Sequence, residues 1–209
     1  MIPRYQKILF FVLLAAALVM GGVLWRLRQR AHERMLAGQD SAPTQAPAVA
    51  PTEQATLLVA NDLDGSLLTE AQALPLPADP GQRARQILGR LLDLYAQPDA
   101  AHPVAGGEQG IAQVFLMPAP DAKNSQDPDA QMAVVNLTSA FAASHPSGLE
   151  SETLTVMSIC GTLHANLPHV TEVRFLINGE QRPNLAGHAD LTRTYLTADS
   201  AAASGGTEQ

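Results

Sequence analysis

TEVRFLI, residues 171–177, runs directly into Asn178-Gly179, and this stretch carries the strongest hairpin signal in the chain. β-branched and aromatic residues alternate with polar ones, and Asn-Gly supplies the two positive-φ positions of a tight turn. The return arm is expected over Gln181–Leu185. Upstream, Ser147-Gly148-Leu149-Glu150 has capping-box spacing and opens a helix that Pro168 stops after Leu167. Its apolar stripe is Thr153, Val156, Met157, Cys160, Leu163, His164 and Leu167.

Two further strands precede that helix, Ile111–Leu116 (IAQVFL) and Met132–Leu137 (MAVVNL), separated by the breaker-rich loop PAPDAKNSQDPDAQ. Before them Asp79 caps a second helix, with Pro80 in its first turn and Gln82 completing the capping box. Ala84, Ile87, Leu88, Leu91, Leu92 and Tyr95 recur at helical spacing, and Pro98 lies beyond the end. Ala55–Asn61 (ATLLVAN) and Ser66–Leu74 (SLLTEAQAL), joined by Asn61-Asp62-Leu63-Asp64-Gly65, form the first hairpin. The order ββ-α-ββ-α-ββ predicts an α+β two-layer sandwich, with two helices packed on one face of a mostly antiparallel sheet.

That body occupies residues 54–197 of 209, and the flanks differ in kind. Ile8–Trp25 (ILFFVLLAAALVMGGVLW) has 18 residues without a charge between Lys7 and Arg26, about 27 Å as a helix and enough for a thin bilayer. Because Arg26 follows at once and neither a small-x-small site nor a lipobox-type Cys appears, residues 1–36 read as an uncleaved signal anchor. Residues 37–53, rich in Ala, Pro, Gln, Ser and Thr, are an extended linker, and 198–209 (ADSAAASGGTEQ) a disordered tail. Two basic residues before the span and four after it favour a cytoplasmic body by the positive-inside rule, although long domains translocate largely regardless of such charges.

Residues 1–36 carry +5 and the remainder −12, so the body is acidic and ill-suited to neutralising phosphates; nucleic-acid binding is excluded. A single Cys, Cys160, excludes an intramolecular disulfide framework and an all-Cys zinc site. His164 and His169 are five apart with Pro168 between them, a poor metal pair, and His102, His145 and His188 sit in loops and read as surface residues. Ser158 and Cys160 lie within a helix without a Gly-x-Ser-x-Gly elbow or a neighbouring base. Gly106-Gly107-x-x-Gly110 lacks the flanking strand and helix of a phosphate loop. Asp62, Asp64, Asp121, Asp127 and Asp129 fit no calcium-loop pattern and read as solvated turn residues. Asn136-Leu137-Thr138 is a chance sequon. No catalytic, cofactor-binding or metal-ligating residue, and no cofactor, is assigned.

Taken together, Ala55–Asn61, the Ala84–Leu94 helix (ARQILGRLLDL), Val114-Phe115-Leu116, Val134-Val135-Asn136-Leu137-Thr138, Phe141, Glu150 with Thr162-Leu163, Val173–Gly179 (VRFLING) and Leu185-Ala186-Gly187-His188 resemble the GerMN domain family. Two departures stand out: Asn136 where the family usually has Asp, and Gly161 where it usually has Asn. The resemblance implies a fold similar to the ring-building domains of secretion and sporulation complexes, and a body on the outer face of the cytoplasmic membrane. It also implies a bacterial, non-catalytic envelope module for binding or assembly, related to sporulation or the cell wall. Its partners would be the membrane, through Ile8 to Trp25, and an envelope protein or wall component, with a homo-oligomer left open. An envelope hydrolase acting on peptidoglycan or another wall polymer is the alternative, and requires convergent carboxylates or a nucleophile in a cleft.

Overall fold

The computed structural model describes residues 20–22, 51–120 and 127–199. The expected span at Ile8–Trp25 lies outside these apart from residues 20–22, as do residues 37–50 of the linker and 200–209 of the tail. Among the described residues no helix is long and apolar enough to cross a membrane.

The folded part is a mixed α+β structure. Strands β1 (Thr52–Asn61) and β2 (Ser66–Pro75) form an antiparallel hairpin that is a sheet of its own. Helix α1 (Pro80–Tyr95) follows, with Asp79 Oδ1 accepting the Gln82 backbone N–H at 2.8 Å as its cap. Ala84, Ile87, Leu88, Leu91, Leu92 and Tyr95, the apolar face expected from spacing, are all buried. A 3-10 turn (Gly107–Gly110) leads into β3 (Ile111–Pro118), then β4 (Gln131–Leu137), the short helix α2 (Ser139–Ser144), the long helix α3 (Leu149–Asn166), β5 (Val170–Ile177) and β6 (Tyr195–Leu196).

The second sheet has the order β3-β4-β5-β6. Its β4–β5 pair is parallel, because α2 and α3 carry the chain back to the starting end before β5 begins. The expectation of one mostly antiparallel sheet is therefore corrected to a separate hairpin plus a four-stranded mixed sheet. Ala133, Val135, Leu137, Val173, Phe175 and Ile177 line its inner face at 0–2% exposure, and α1 and α3 pack against its β3 and β5 strands.

Two local expectations also change. Asn178 and Gly179 take φ of 51° and 79° and close the turn, with Ile177 and Glu180 exchanging backbone hydrogen bonds. The ladder stops there, and Gln181–Leu185 is no strand: Pro183 has no N–H to give, and the chain beyond Leu185 is held elsewhere by Glu152. Nor does α3 show a single apolar stripe. Every residue from Leu154 to Leu163 except Met157 is buried, whereas Thr153 is exposed, because α3 lies between β1 and β5 rather than on the surface. Its expected Ser147/Glu150 box is replaced by Glu152, whose Oε1 accepts the Gly148 N–H at 3.2 Å.

Candidate functional site

The buried polar residues of α3, Glu152, Thr155, Ser158 and Thr162, all find partners inside the protein. The edge of β1 away from β2 meets no strand; its amides are received by side chains. Thr56 N–H donates to Asn166 Oδ1 at 3.0 Å, Leu58 N–H to Thr162 Oγ1 at 2.9 Å, and Ala60 N–H to the Tyr95 hydroxyl oxygen at 3.0 Å. Two strand residues advance about 6.6 Å and four helical residues about 6 Å, so Thr162 and Asn166 keep step with Leu58 and Thr56. A strand edge that would otherwise recruit another strand is covered in this way.

Two turns before Thr162, Thr155 sits at the centre of a chain of side chains that is buried apart from Asp62. Asp62 Oδ1 is 2.5 Å from His102 Nδ1, His102 Nε2 is 2.7 Å from Thr155 Oγ1, and Thr155 Oγ1 is 2.7 Å from His145 Nε2. His145 Nδ1 donates to the Pro146 carbonyl at 2.8 Å. Burial lowers the His145 pKa, outweighing the support of that carbonyl. The Tyr95 ring stands edge-on to His102 at 4.7 Å, and Phe141 edge-on to His145 at 5.7 Å.

Carboxylate, imidazole and hydroxyl in this order are the parts of an activated nucleophile. Here the hydroxyl has no exposed surface, is shared with a second imidazole and back-bonds to the Ser151 carbonyl at 3.1 Å. A substrate cannot reach it without opening the core. What the chain does in this state is join the first hairpin turn, the loop after α1 and helix α3. The expectation of surface His is thus corrected for His102 and His145, at 1% and 5% exposure, and Asp62, an exposed turn residue as expected, also hydrogen-bonds the His102 ring.

Glu152 forms the second cluster. Its carboxylate, fully buried, accepts the backbone N–H groups of Ala186, His188 and Ala189 at 2.8–3.0 Å, and the His188 ring approaches at 3.0 Å. Desolvation pushes its pKa up, but these donors together outweigh it and bring the value down to about 2. One carboxylate therefore folds the Ala186-Gly187-His188-Ala189 loop onto α3.

The remaining candidates are also consumed structurally. Cys160 is buried, and burial pushes its thiol pKa up, away from a reactive thiolate. Ser158 Oγ donates to the Thr155 carbonyl at 2.9 Å. His164 Nδ1 is 3.1 Å from the Thr197 hydroxyl, and exposed His169 pairs with Asp127 at 3.5 Å. Gly110 is a packing glycine: a Cβ there would meet Phe141 at 2.7 Å and Leu92 at 2.8 Å. Asn136 Oδ1 accepts the Gly179 N–H at 2.7 Å, a role that needs only an acceptor oxygen and that Asp would fill equally. Among the described residues no group of three or more His, Cys, Asp and Glu is placed to hold a metal ion.

Sequence reasoning missed the Asp62–His102–Thr155–His145 chain and the Glu152 anchor. The available signal was the recurrence of Glu152, Thr155, Ser158 and Thr162 at helical spacing, interleaved with the apolar Leu154, Val156, Ile159, Cys160 and Leu163.

The outer face of the four-stranded sheet contrasts with this. It presents Phe115 and Met117 on β3 and Leu196 on β6, at 47%, 42% and 53% exposure. Beside Phe115 a shallow groove of about 410 Å³ runs along Asp79, Gln82, Arg85 and Val114.

A family model described as Germane, sporulation and spore germination, matches residues 62–183. Among solved structures, the tandem GerMN domains of the sporulation protein GerM from Bacillus subtilis align at TM-score 0.41 and 17% identity, covering 71% of this chain and 48% of that one. The first GerMN domain of the same protein aligns at TM-score 0.38 and 17% identity, covering 69% and 97%. The chain thus spans about half the length of the tandem-domain relative. No curated protein matches the chain.

Proposed function

The chain belongs to the Germane family of sporulation and spore germination proteins, and from that membership we propose that it is a non-catalytic module working by binding or assembly in the cell envelope. The observation that carries this reading is a division of labour. The groups capable of chemistry, Asp62, His102, Thr155, His145 and Glu152, are spent on holding the fold, while Phe115, Met117 and Leu196 face outward from a rigid sheet. Exposed apolar side chains gathered on one surface mark contact sites more often than chance.

In this reading Ile8–Trp25 anchors the chain in the cytoplasmic membrane as a single pass, and the body stands outside it. The 37–53 linker gives a reach of about 20–25 Å as a flexible chain, extending toward about 50 Å if its prolines stretch it. The body would then meet an envelope protein or wall component near the bilayer.

The test has two arms. A photo-crosslinking side chain at residue 115 or 117 of the full chain in its own cells should give a discrete adduct that the same probe at Glu70, on exposed β2, does not. Purified protein incubated with peptidoglycan should release no soluble fragments. Release that disappears in His102→Ala would replace this reading with a hydrolase, and adducts from residue 70 alone would move the working surface elsewhere.

A further inference from the structure

We infer that the outer face of the β3–β6 sheet recognises a second copy of this chain, the two sheets packing face to face about a two-fold axis that crosses the strands at Leu116, Ala133 and Val173. This rests on the outer face being the working surface and goes further by naming what covers it.

The argument starts from register. Leu116 pairs with Ala133, and Ala133 with Val173, so these three residues lie on one line across the sheet. Their side chains point to the core side, and the residues immediately before and after each point outward. The outward pairs flanking the line are the exposed Phe115 and Met117 on β3, the half-buried Glu172 and Arg174 on β5, and between them Met132 and Val134 on β4, each already only 7% exposed in the single chain. An axis in the interface along that line sets β3 over β3, β4 over β4 and β5 over β5 in opposite directions. Phe115 then faces Met117 of the other copy, Met132 faces Val134, and Glu172 faces Arg174, each contact occurring twice.

The charged pair identifies the occupant. Glu172 and Arg174 are two apart on the same face of one strand, yet they form no ion pair with each other, and neither forms one with another residue. Among the described residues the Arg174 Nε is the buried side-chain polar atom without a hydrogen-bond partner. A guanidinium half-buried in an apolar surround calls for a carboxylate from outside. The same surface carries one carboxylate, Glu172, at the position that the two-fold brings opposite. Sheets packed face to face stand about 10 Å apart, a gap that Arg and Glu side chains span together. Three strands of seven or eight residues, with the two-residue β6 beside them, offer roughly 350 Å² per copy. A stable dimer buries about 800 Å² on each side, so the association is weak in dilute solution and favoured where copies are concentrated.

The experiment uses two differently tagged full-length copies co-expressed in the same cells. Under mild oxidation, Phe115→Cys on one and Met117→Cys on the other should form an intermolecular disulfide in excess over either homotypic pair. Glu172→Arg or Arg174→Glu, each made in both copies of that pair, should reduce the crosslink about tenfold by opposing like charges. Glu172→Arg together with Arg174→Glu, made in both copies of that pair, should restore it, because the two-fold regenerates both ion pairs. Absence of the heterotypic disulfide, or failure of the double exchange to restore it, overturns self-recognition. If a probe at residue 115 still gives its discrete adduct in that case, a different partner occupies the face and the binding reading survives; if both fail, both readings fall.

Discussion

The side-chain oxygen of Thr162, on α3, accepts the backbone N–H of Leu58, on β1, at 2.9 Å across 104 positions of chain. Both groups are buried, so the bond replaces water that neither can reach. With Asn166 and Tyr95 receiving the amides on either side, the hairpin is docked by hydrogen bonds to side chains as well as by apolar packing.

Thr162→Val should therefore cost about 1–3 kcal/mol, since it keeps the shape and leaves the Leu58 amide without an acceptor. Urea denaturation measures the loss, and hydrogen exchange should locate it at residues 56–60. Unchanged stability and unchanged protection of Leu58 would mean the bond is dispensable.

Glu152 makes stability acid-sensitive. Its carboxyl lies near 4.5 in a free chain and at about 2 here, so the folded state binds fewer protons over that interval. Its contribution is fully present above about pH 4.5 and drains away as pH falls toward 2, amounting to about 3 kcal/mol. Glu152→Gln should lower the urea midpoint at pH 7 and flatten the dependence below pH 4.5. A parallel acid limb in the variant would place the sensitivity elsewhere.

His145 acts in the same direction at higher pH. Burial lowers its pKa below the ordinary 6.5, so its neutral form supports the fold above 6.5 and the support declines as pH falls through the lower folded value. The melting temperature should drop between pH 7 and 5, and His145→Gln should reduce that slope. An imidazole titration followed by NMR that places His145 above 6.5 would reverse the sign.

Leu88 and Leu91 have no exposed surface in α1. Either one changed to Ala should cost about 2–5 kcal/mol, read from denaturant midpoints. A loss below 1 kcal/mol would contradict the packing described.

Phe115→Asp tests the opposite kind of position. With nearly half its surface exposed on an open sheet face, Phe115 should be replaceable with a stability change within about 0.5 kcal/mol. A large loss would make it a core residue rather than a surface one.

Helix α1 was legible because its determinants are local: Asp79, Pro80 and the spacing of Ile87, Leu88, Leu91 and Leu92 all lie within one stretch. The Asn178-Gly179 turn was legible for the same reason, since positive φ at two successive residues is a property of those residues. The return strand was not, because Pro183 and the pull of Glu152 on residues 186–189 compete with pairing from a distance. His102 and His145 looked like surface histidines because breaker-rich flanks usually face water. Nothing within either loop announces that Thr155 will stand between them.

By itself the sequence determined the first hairpin, the two long helices and the β3, β4 and β5 strands in their order, the capped start of α1, the acidic body and the family. The elements, the cap and the charge follow from composition, periodicity or backbone preference within a few residues, and the family from the order of motifs along residues 62–183. Only tertiary structure decided that β5 lies parallel to β4, that the edge of β1 is closed by Thr162 and Asn166, and that Glu172 and Arg174 share an open face without pairing. Those outcomes depend on which segments meet across a hundred residues of chain. A local pattern specifies which side of a strand or helix is apolar, but not the polar group that will stand opposite.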